Sequence, residues 1–453
     1  MSAKTKSAHS VYVNTMKKIK VLVLLVTLIK VLAIFNIQPV IMGYSGGAWL
    51  GSDGESFIEG YKELRLEGFF SDSKYLTYWA PGYPFFLFLL SFLSSSNLLI
   101  TTSLIQTLIF SGAIYFLCIT LVKMGQLKTS LVFCILALLN PTLTLTSMQL
   151  GYENLVASIC AIILGLFLLN LNSNSNVIFD KKLLIAVMLM GLGIWLSPRM
   201  ILAFTVFTLI WIIAKKSKKF LISGIMALII LVGFQGLMLE RNHIATGNYS
   251  SQTSIGALAL MGAGPFATGT YMTESSGLKC DTEQLSEVAA NSKKLKCALN
   301  WYTNNPLEGS VLLFKKSLYL WSPWFGPLAG GTNARNPYLE FHPIKNLIKS
   351  EKQFNFVYGF WGYLVSWIII LGGWLLLILG FIYLWKMGGA LKKFSFVALS
   401  LIVSNWLAVL VVHGDNRYRI PLMSVSLLLQ VFGYFNLRSK LSILSVRLSR
   451  NSN

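Results

Sequence analysis

Long runs of hydrocarbon side chains alternate along this chain with short charged interruptions, and the runs have bilayer length. Val21–Met42 is the first, and 98–122, 128–146, 153–170, 182–197, 199–214, 219–238, 357–385, 394–412 and 420–437 follow. A helix needs ~17–25 predominantly apolar residues to cross a membrane. The pattern therefore predicts an all-α polytopic membrane protein with about ten transmembrane helices. The break at Pro198 is where the chain is expected to turn between two short spans. Phe85–Leu93 fits none of these. At ~1.5 Å per residue it covers about half of a ~30 Å hydrocarbon core, so it is expected as a half-helix in one leaflet.

Charge then orients the spans. If Phe85–Leu93 does not cross, Lys123/Lys128, Lys181/Lys182, Lys215–Lys219, Lys386–Lys393 and Arg438–Arg450 join the N-terminal lysines on one side. The positive-inside rule makes that side cytoplasmic, with both termini inside. Every Asp and Glu except Asp180 falls on the outer side or at an outer helix end. Val21–Met42 is longer than a signal-peptide core and is expected to stay as an uncleaved span. Lys30 within it reads as a snorkelling side chain, with a role at a lipid phosphate as the alternative. The organisation expected is one transmembrane domain over 1–437, with outer loops at 43–97 and 240–356 and a basic cytoplasmic tail at 438–453. In the second loop, GALALMGAGPFATGTY reads as irregular backbone and Asp281–Leu299 as a short helix. Leu307–Trp321 reads there as a surface helix whose Lys315 and Lys316 reach lipid headgroups.

Composition changes little. Of 453 residues 55% are hydrophobic and only 12% charged, against ~25% charged in soluble domains. The net charge of +21 sits in clusters at the ends of apolar runs, a topology signal rather than a nucleic-acid face, and no nucleic-acid-binding module is recognisable. Cys118, Cys134 and Cys160 lie in apolar runs; Cys280 and Cys297 share one polar loop and are the candidate disulfide.

The candidate chemistry gathers around Gly51–Pro84, an acidic, aromatic-rich segment holding Asp53, Glu55, Glu59, Glu63, Glu67 and Asp72, six of the seventeen acidic residues. The topology brings four other places to the same leaflet. These are Tyr152-Glu153-Asn154, Pro198-Arg199, Glu240-Arg241-Asn242-His243, and the stretch from His413 to Pro421. Carboxylates on one segment and arginines on three others suit a substrate with an anionic end and a hydroxyl to be deprotonated. Asp53 is the candidate base, with a helix cap as its structural alternative. Arg417 and Arg419 are the candidate phosphate ligands, with Arg199 and Arg241 behind them. Because Tyr418 separates Arg417 from Arg419, that stretch should be non-helical if both touch one phosphate. Asp415 is either a supporting residue or the structural partner of Arg417. His243, His413 and Glu153 are candidate ligands of a divalent metal such as zinc or manganese, and lone hydrogen-bonded side chains otherwise.

The order Asp53…Tyr61…Gly68…Pro81-Gly82-Tyr83-Pro84 resembles the first outer loop of the GT-C glycosyltransferases, in particular protein mannosyltransferases and aminoarabinose transferases. Asn140-Pro141 before Glu153, Arg241-Asn242 leading to Gly264-Pro265 and Ala267-Thr268-Gly269, and Gly414-Asp415-Asn416-Arg417-Tyr418-Arg419-Ile420-Pro421 resemble the same superfamily in the same order. The resemblance implies a sugar donor on a polyprenyl phosphate such as undecaprenyl phosphate. It further implies a lipid, glycan or protein acceptor, and inverting transfer at the outer face of a bacterial plasma membrane. Many relatives carry adjacent acidic residues where this chain has Asp53-Gly54-Glu55, which leaves the catalytic role of Glu55 open. A flippase of lipid-linked sugars, a membrane polysaccharide polymerase or ligase, and a non-catalytic assembly subunit are the rival readings.

Overall fold

The computed structural model describes residues 3–36, 53–172, 180–215, 217–270, 272, 276–283, 285–322, 352 and 359–451. Among them every regular element is helical. α1 (Ala3–Asn36) is followed by three short helices, α2 (Gly54–Leu66), α3 (Lys74–Thr77) and α4 (Gly82–Ser91). The bundle continues with α5 (Leu98–Lys123), α6 (Leu127–Leu139), α7 (Pro141–Met148), α8 (Glu153–Leu171), α9 (Lys181–Leu196), α10 (Met200–Lys215) and α11 (Lys218–Thr246). Then come α12 (Ile255–Met261), α13 (Glu287–Asn304), α14 (Pro306–Trp321), α15 (Phe360–Met387) and α16 (Gly389–Val411). A 3₁₀ turn, Asn416–Leu422, leads into α17 (Met423–Asn451). The end of the first expected span (37–42), the start of the first outer loop (43–52) and most of 323–358 lie outside the described residues.

Six helices among the described residues are long and apolar enough to cross a membrane, or seven if α6 and α7 count as one bent span. The bend between these two is 56°. It follows from Asn140-Pro141: the Asn140 side chain accepts from the Leu143 N–H (3.0 Å) and proline opens the next helix. The expected count of ten does not carry over. α9 and α10 have 16 residues each, about 24 Å of helix, and the described part of α1 ends at Asn36. Phe85–Ser91 makes the last seven residues of a ten-residue helix, α4, and Phe92 and Leu93 follow its end.

Lys30 does not snorkel. It is buried, with its ammonium 5.2 Å from the Phe110 ring centre and no hydrogen-bond partner among the described residues. α8 sits at the centre of the bundle, nearly all of it buried and packed against α5, α9 and the 3₁₀ turn. α15 and α17 cross at backbone contact. A Cβ at Gly380 would stand 1.9 Å from the Leu429 carbonyl oxygen, and one at Gly433 would stand 1.9 Å from that of Leu376. Small residues at such crossings let helices pack closely where no hydrophobic effect drives them together.

α9 and α10 form an antiparallel pair, so their termini mark the two ends of the bundle. At one end Asp180 caps α9 and accepts from Asn170 (2.5 Å), while Lys215 donates to the Asn170 carbonyl (2.6 Å) and Lys393 to that of Ala214 (2.6 Å). The one acidic residue expected among the lysines is thus a helix cap in a hydrogen-bonded cluster. The opposite end carries Ser197-Pro198-Arg199 and the residues of the site.

Candidate active site at one end of the bundle

A buried hydrogen-bond relay fixes the first segment onto the bundle. The Tyr83 hydroxyl donates to Gln106 Oε1 (2.6 Å) and accepts from the Gly151 N–H (2.8 Å), and Gln106 Nε2 donates to the Gln149 carbonyl (2.8 Å). Burial pushes the Tyr83 phenol well above its ordinary range, so it stays a neutral donor. Gly82 allows the approach: a Cβ there would lie 2.4 Å from the Trp195 carbonyl at the end of α9. Arg241, 1% exposed, is the second anchor. Its guanidinium donates to the carbonyls of Phe69 (2.8 Å), Ser71 (2.6 Å) and Leu76 (3.0 Å) and to Asn242 Oδ1 (2.8 Å). It pins the link between α2 and α4 and does not line the cavity described below.

The turn after α16 is held from three sides. Asp415 Oδ1 accepts from the Arg417 N–H (2.9 Å), starting the 3₁₀ turn, and Asn405 Nδ2 donates to the Tyr418 carbonyl (2.9 Å). The Gly414 N–H donates to the Gly269 carbonyl (2.7 Å), and a Cβ on Gly414 would fall 2.3 Å from the Lys316 carbonyl oxygen. Lys316 is buried and its Nζ donates to the Leu410 carbonyl (2.8 Å), so it does not reach headgroups. Burial lowers its pKa to about 7. The glycine-rich stretch is likewise more ordered than expected: Ile255–Met261 is helical, and Gly264 (φ 129°) and Gly269 (φ 94°) take backbone conformations that other residues rarely adopt.

Arg417 and Arg419 lie on the 3₁₀ turn rather than in irregular backbone, and they diverge. Arg417 Nη1 donates to Asp53 Oδ2 at 2.6 Å and its Nε lies 3.5 Å from Asp415 Oδ2. Arg419 donates to the carbonyls of Leu320 (3.0 Å) and Ser322 (2.8 Å), so the two arginines share no target. The Asp53–Arg417 pair joins residues 364 positions apart, both largely buried, with side chains 19% and 15% exposed. Asp53 occupies the N-cap position of α2, yet its side chain makes no capping hydrogen bond and turns to Arg417 instead.

This pair lines a cavity of about 1060 Å³. One wall is aromatic: Phe57, one turn after Asp53, meets Trp79 (6.1 Å) and Tyr152 (6.1 Å) edge-on, and Tyr78 lies beside Trp79 (5.3 Å). Burial raises the Tyr152 phenol, opposed by nearby Arg199. Leu196, Ile201, Leu202, Leu258, Ala408 and Val411 make an apolar wall. Arg199, in the break between α9 and α10, stacks over the Tyr418 ring at 4.1 Å, and its Nε and Nη2 have no hydrogen-bond partner among the described residues. Gln235 Oε1, Ser254 Oγ and Asn416 Oδ1 on the same walls are also without one.

Of the other expected residues, His413, Asp415 and Tyr418 also line the cavity. Glu55 is exposed in the first turn of α2 and does not line the cavity. Glu153 is buried at the start of α8, outside the lining but close enough to Arg417, Asp53 and Arg199 to feel their charges. No group of three His, Cys, Asp or Glu residues able to hold a metal occurs among the described residues. His243 stacks on Tyr249 (4.1 Å) and His413 Nε2 lies 3.3 Å from the Tyr418 hydroxyl, so with Glu153 they form no ligand set. Burial, then Arg417, Lys316 and Arg199, lower the His413 pKa to about 3. Cys280 and Cys297 are disulfide-bonded, while Cys118, Cys134 and Cys160 are buried free thiols. Phe57, Trp79, Gln235 and Ser254 were not foreseen; the i,i+4 spacing of Asp53 and Phe57 was the one signal for any of them.

No protein-family profile matches the chain, and no curated protein does. Among solved structures, the chain is similar to the Archaeoglobus fulgidus oligosaccharyltransferase tethered to an acceptor peptide through a disulfide bond. The two are 11% identical, with a TM-score of 0.50 over 94% of this chain and 50% of that one. It is also similar to the archaeal oligosaccharyltransferase AglB from the same organism, in complex with an inhibitory peptide and a dolichol-phosphate (12% identity, TM-score 0.47, 96% and 52% covered). The chain spans about half the length of these structures. The likeness is one of fold: a bundle of helices, several of them long and apolar enough to cross a membrane, arranged as in these structures.

Proposed function

We propose that this protein is a membrane glycosyltransferase that moves a sugar from a polyprenyl-phosphate donor to a hydroxyl of a lipid, glycan or protein acceptor. Asp53 is the base. It takes the acceptor proton while the acceptor oxygen attacks the anomeric carbon and the bond from that carbon to the phosphate oxygen breaks. Attack opposite the leaving group inverts the configuration. Arg417, clasped by Asp53 and Asp415, orients the Asp53 carboxylate. Arg199 receives the departing phosphate: a phosphodiester brings one negative charge, and Arg199 is a cavity guanidinium with open donors. The apolar wall takes the first isoprene units and the aromatic wall faces the sugars. The positive-inside argument supports this end at the outer face with both termini cytoplasmic, and the GT-C resemblance supports a bacterial plasma membrane.

The observation that carries the reading is the Asp53–Arg417 contact at 2.6 Å inside a cavity that is polar at one wall and hydrocarbon at another. The test is Asp53→Asn, which keeps size and hydrogen bonding but removes the base. Transfer should fall by about 10²–10⁴-fold, with binding of polyprenyl phosphate to the purified protein unchanged. Turnover retained at the parent rate removes Asp53 from the mechanism.

A further inference from the structure

A second surface lies away from the cavity, along α14. Leu307, Val311, Phe314 and Leu318 are 78, 55, 63 and 43% exposed. At about 100° per residue these four form one stripe, and the buried Gly309, Leu312, Lys316 and Leu320 form the stripe diametrically opposite. The helix therefore turns one face to the protein and the reverse face, wholly apolar, away from it. The C-terminal half of the helix is fastened to membrane-crossing helices. Trp406 of α16 donates from Nε1 to Ser317 Oγ (2.9 Å), and Trp321 packs on Trp374 of α15 (4.3 Å) and on Trp406 (5.8 Å). Trp406 and Trp374 both lie within their spanning helices, so the C-terminal end of α14 rests against spans, while its Lys316 backbone meets Gly414 just past the end of α16. On α16 itself Val403 and Leu407, on either side of Trp406 in sequence, are exposed, so apolar surface of a spanning helix adjoins the place where α14 is fastened.

We infer that α14 is seated in the lipid leaflet, with Leu307, Val311, Phe314 and Leu318 against acyl chains and the exposed Lys315 at the headgroups. Continuity with the lipid-facing surface of α16 selects lipid as the occupant. The same helix supplies the Leu320 carbonyl that receives Arg419, and its Lys316 holds the end of α16, so the leaflet supports the turn that carries Arg417. The inference rests on the membrane-spanning fold and stands whether or not the cavity transfers sugar.

The experiment uses the full chain in phosphatidylethanolamine–phosphatidylglycerol vesicles. Nitroxide labels are placed singly through Val311→Cys, Phe314→Cys and Leu318→Cys, with Ser292→Cys on the exposed side of α13 as the aqueous control. Labels on the stripe should relax several-fold more with oxygen than with a water-soluble nickel chelate, and the control the reverse. A second measurement needs no substitution: a lipid carrying an acyl-chain diazirine should leave adducts on the peptide 306–321. Nickel-accessible stripe labels would place α14 in water and overturn the inference. Labels shielded from both reagents, together with no lipid adducts, would put a second protein or another copy of this chain on the stripe and overturn it equally.

Discussion

Arg199→Met separates the donor-binding role of this residue from any role in the fold. In the structure the guanidinium makes no hydrogen bond to a described residue through Nε or Nη2, and it stacks over the Tyr418 ring at 4.1 Å. Removing it costs the fold about 0.5–2 kcal/mol of cation–π interaction, and methionine returns part of the lost packing. Removing it costs the donor far more. Hydrogen bonds to a charged group contribute about 1.5–3 kcal/mol each, and an arginine fork makes two with a phosphate. Two such bonds, about 3–6 kcal/mol together, correspond to about 10²–10⁴-fold in Kd for polyprenyl phosphate. Arg199→Lys keeps the charge without the fork and should fall between. The assay is equilibrium binding of polyprenyl phosphate to protein in nanodiscs, with a melting curve on each variant. A Kd within threefold of the parent for Arg199→Met, with an unchanged melting curve, would refute the assignment.

Arg241→Met should behave in the opposite way. It leaves the carbonyls of Phe69, Ser71 and Leu76 without their donor, at about 1–3 kcal/mol for each one that stays buried, so the melting temperature should fall sharply. Donor affinity measured well below that temperature should stay near the parent value. The pH dependence of stability carries a contribution from His413, whose folded pKa of about 3 lies below the ordinary 6.5. The unfolded chain binds the proton first, so this contribution is complete above pH 6.5 and is lost as pH falls from there toward 3, by up to about 1.4 kcal/mol per unit. Melting curves across pH 4–7 should show the parent losing stability faster than His413→Asn on acidification. Parallel curves would contradict the burial argument.

The architecture was legible because membrane spans announce themselves by length and apolarity, and because the basic clusters alternate with them. The half-length of Phe85–Leu93 was legible for the same reason. The short pair 182–197 and 199–214 was legible too, to within a residue, but at 16 residues each these helices do not by length alone establish two of the expected ten spans, and the first span runs past the described residues. The meeting of Asp53 with Arg417 is a consequence of putting charged helix ends on one side. What each arginine does is a different matter. Arg241 and Arg419 look like ligands in sequence, yet their donors go to carbonyls that loops and helix ends leave open, and which carbonyls those are is decided by tertiary packing. Lys316 is the same case: its helical spacing was clear, but which face of α14 turns inward depends on Leu410 and Gly414, some hundred residues later.

The central claim is that a polyprenyl phosphate puts its phosphate on Arg199 while the sugar it carries meets Asp53. A cryo-EM map of the Asp53→Asn protein with a bound polyprenyl-phosphate sugar tests this most directly. The account predicts the phosphate within hydrogen-bond reach of the Arg199 guanidinium, the prenyl chain along Leu196, Ile201 and Leu202, and the anomeric carbon facing residue 53. A phosphate bound elsewhere, with Arg199 still resting on Tyr418 and no contact to the lipid, would contradict it.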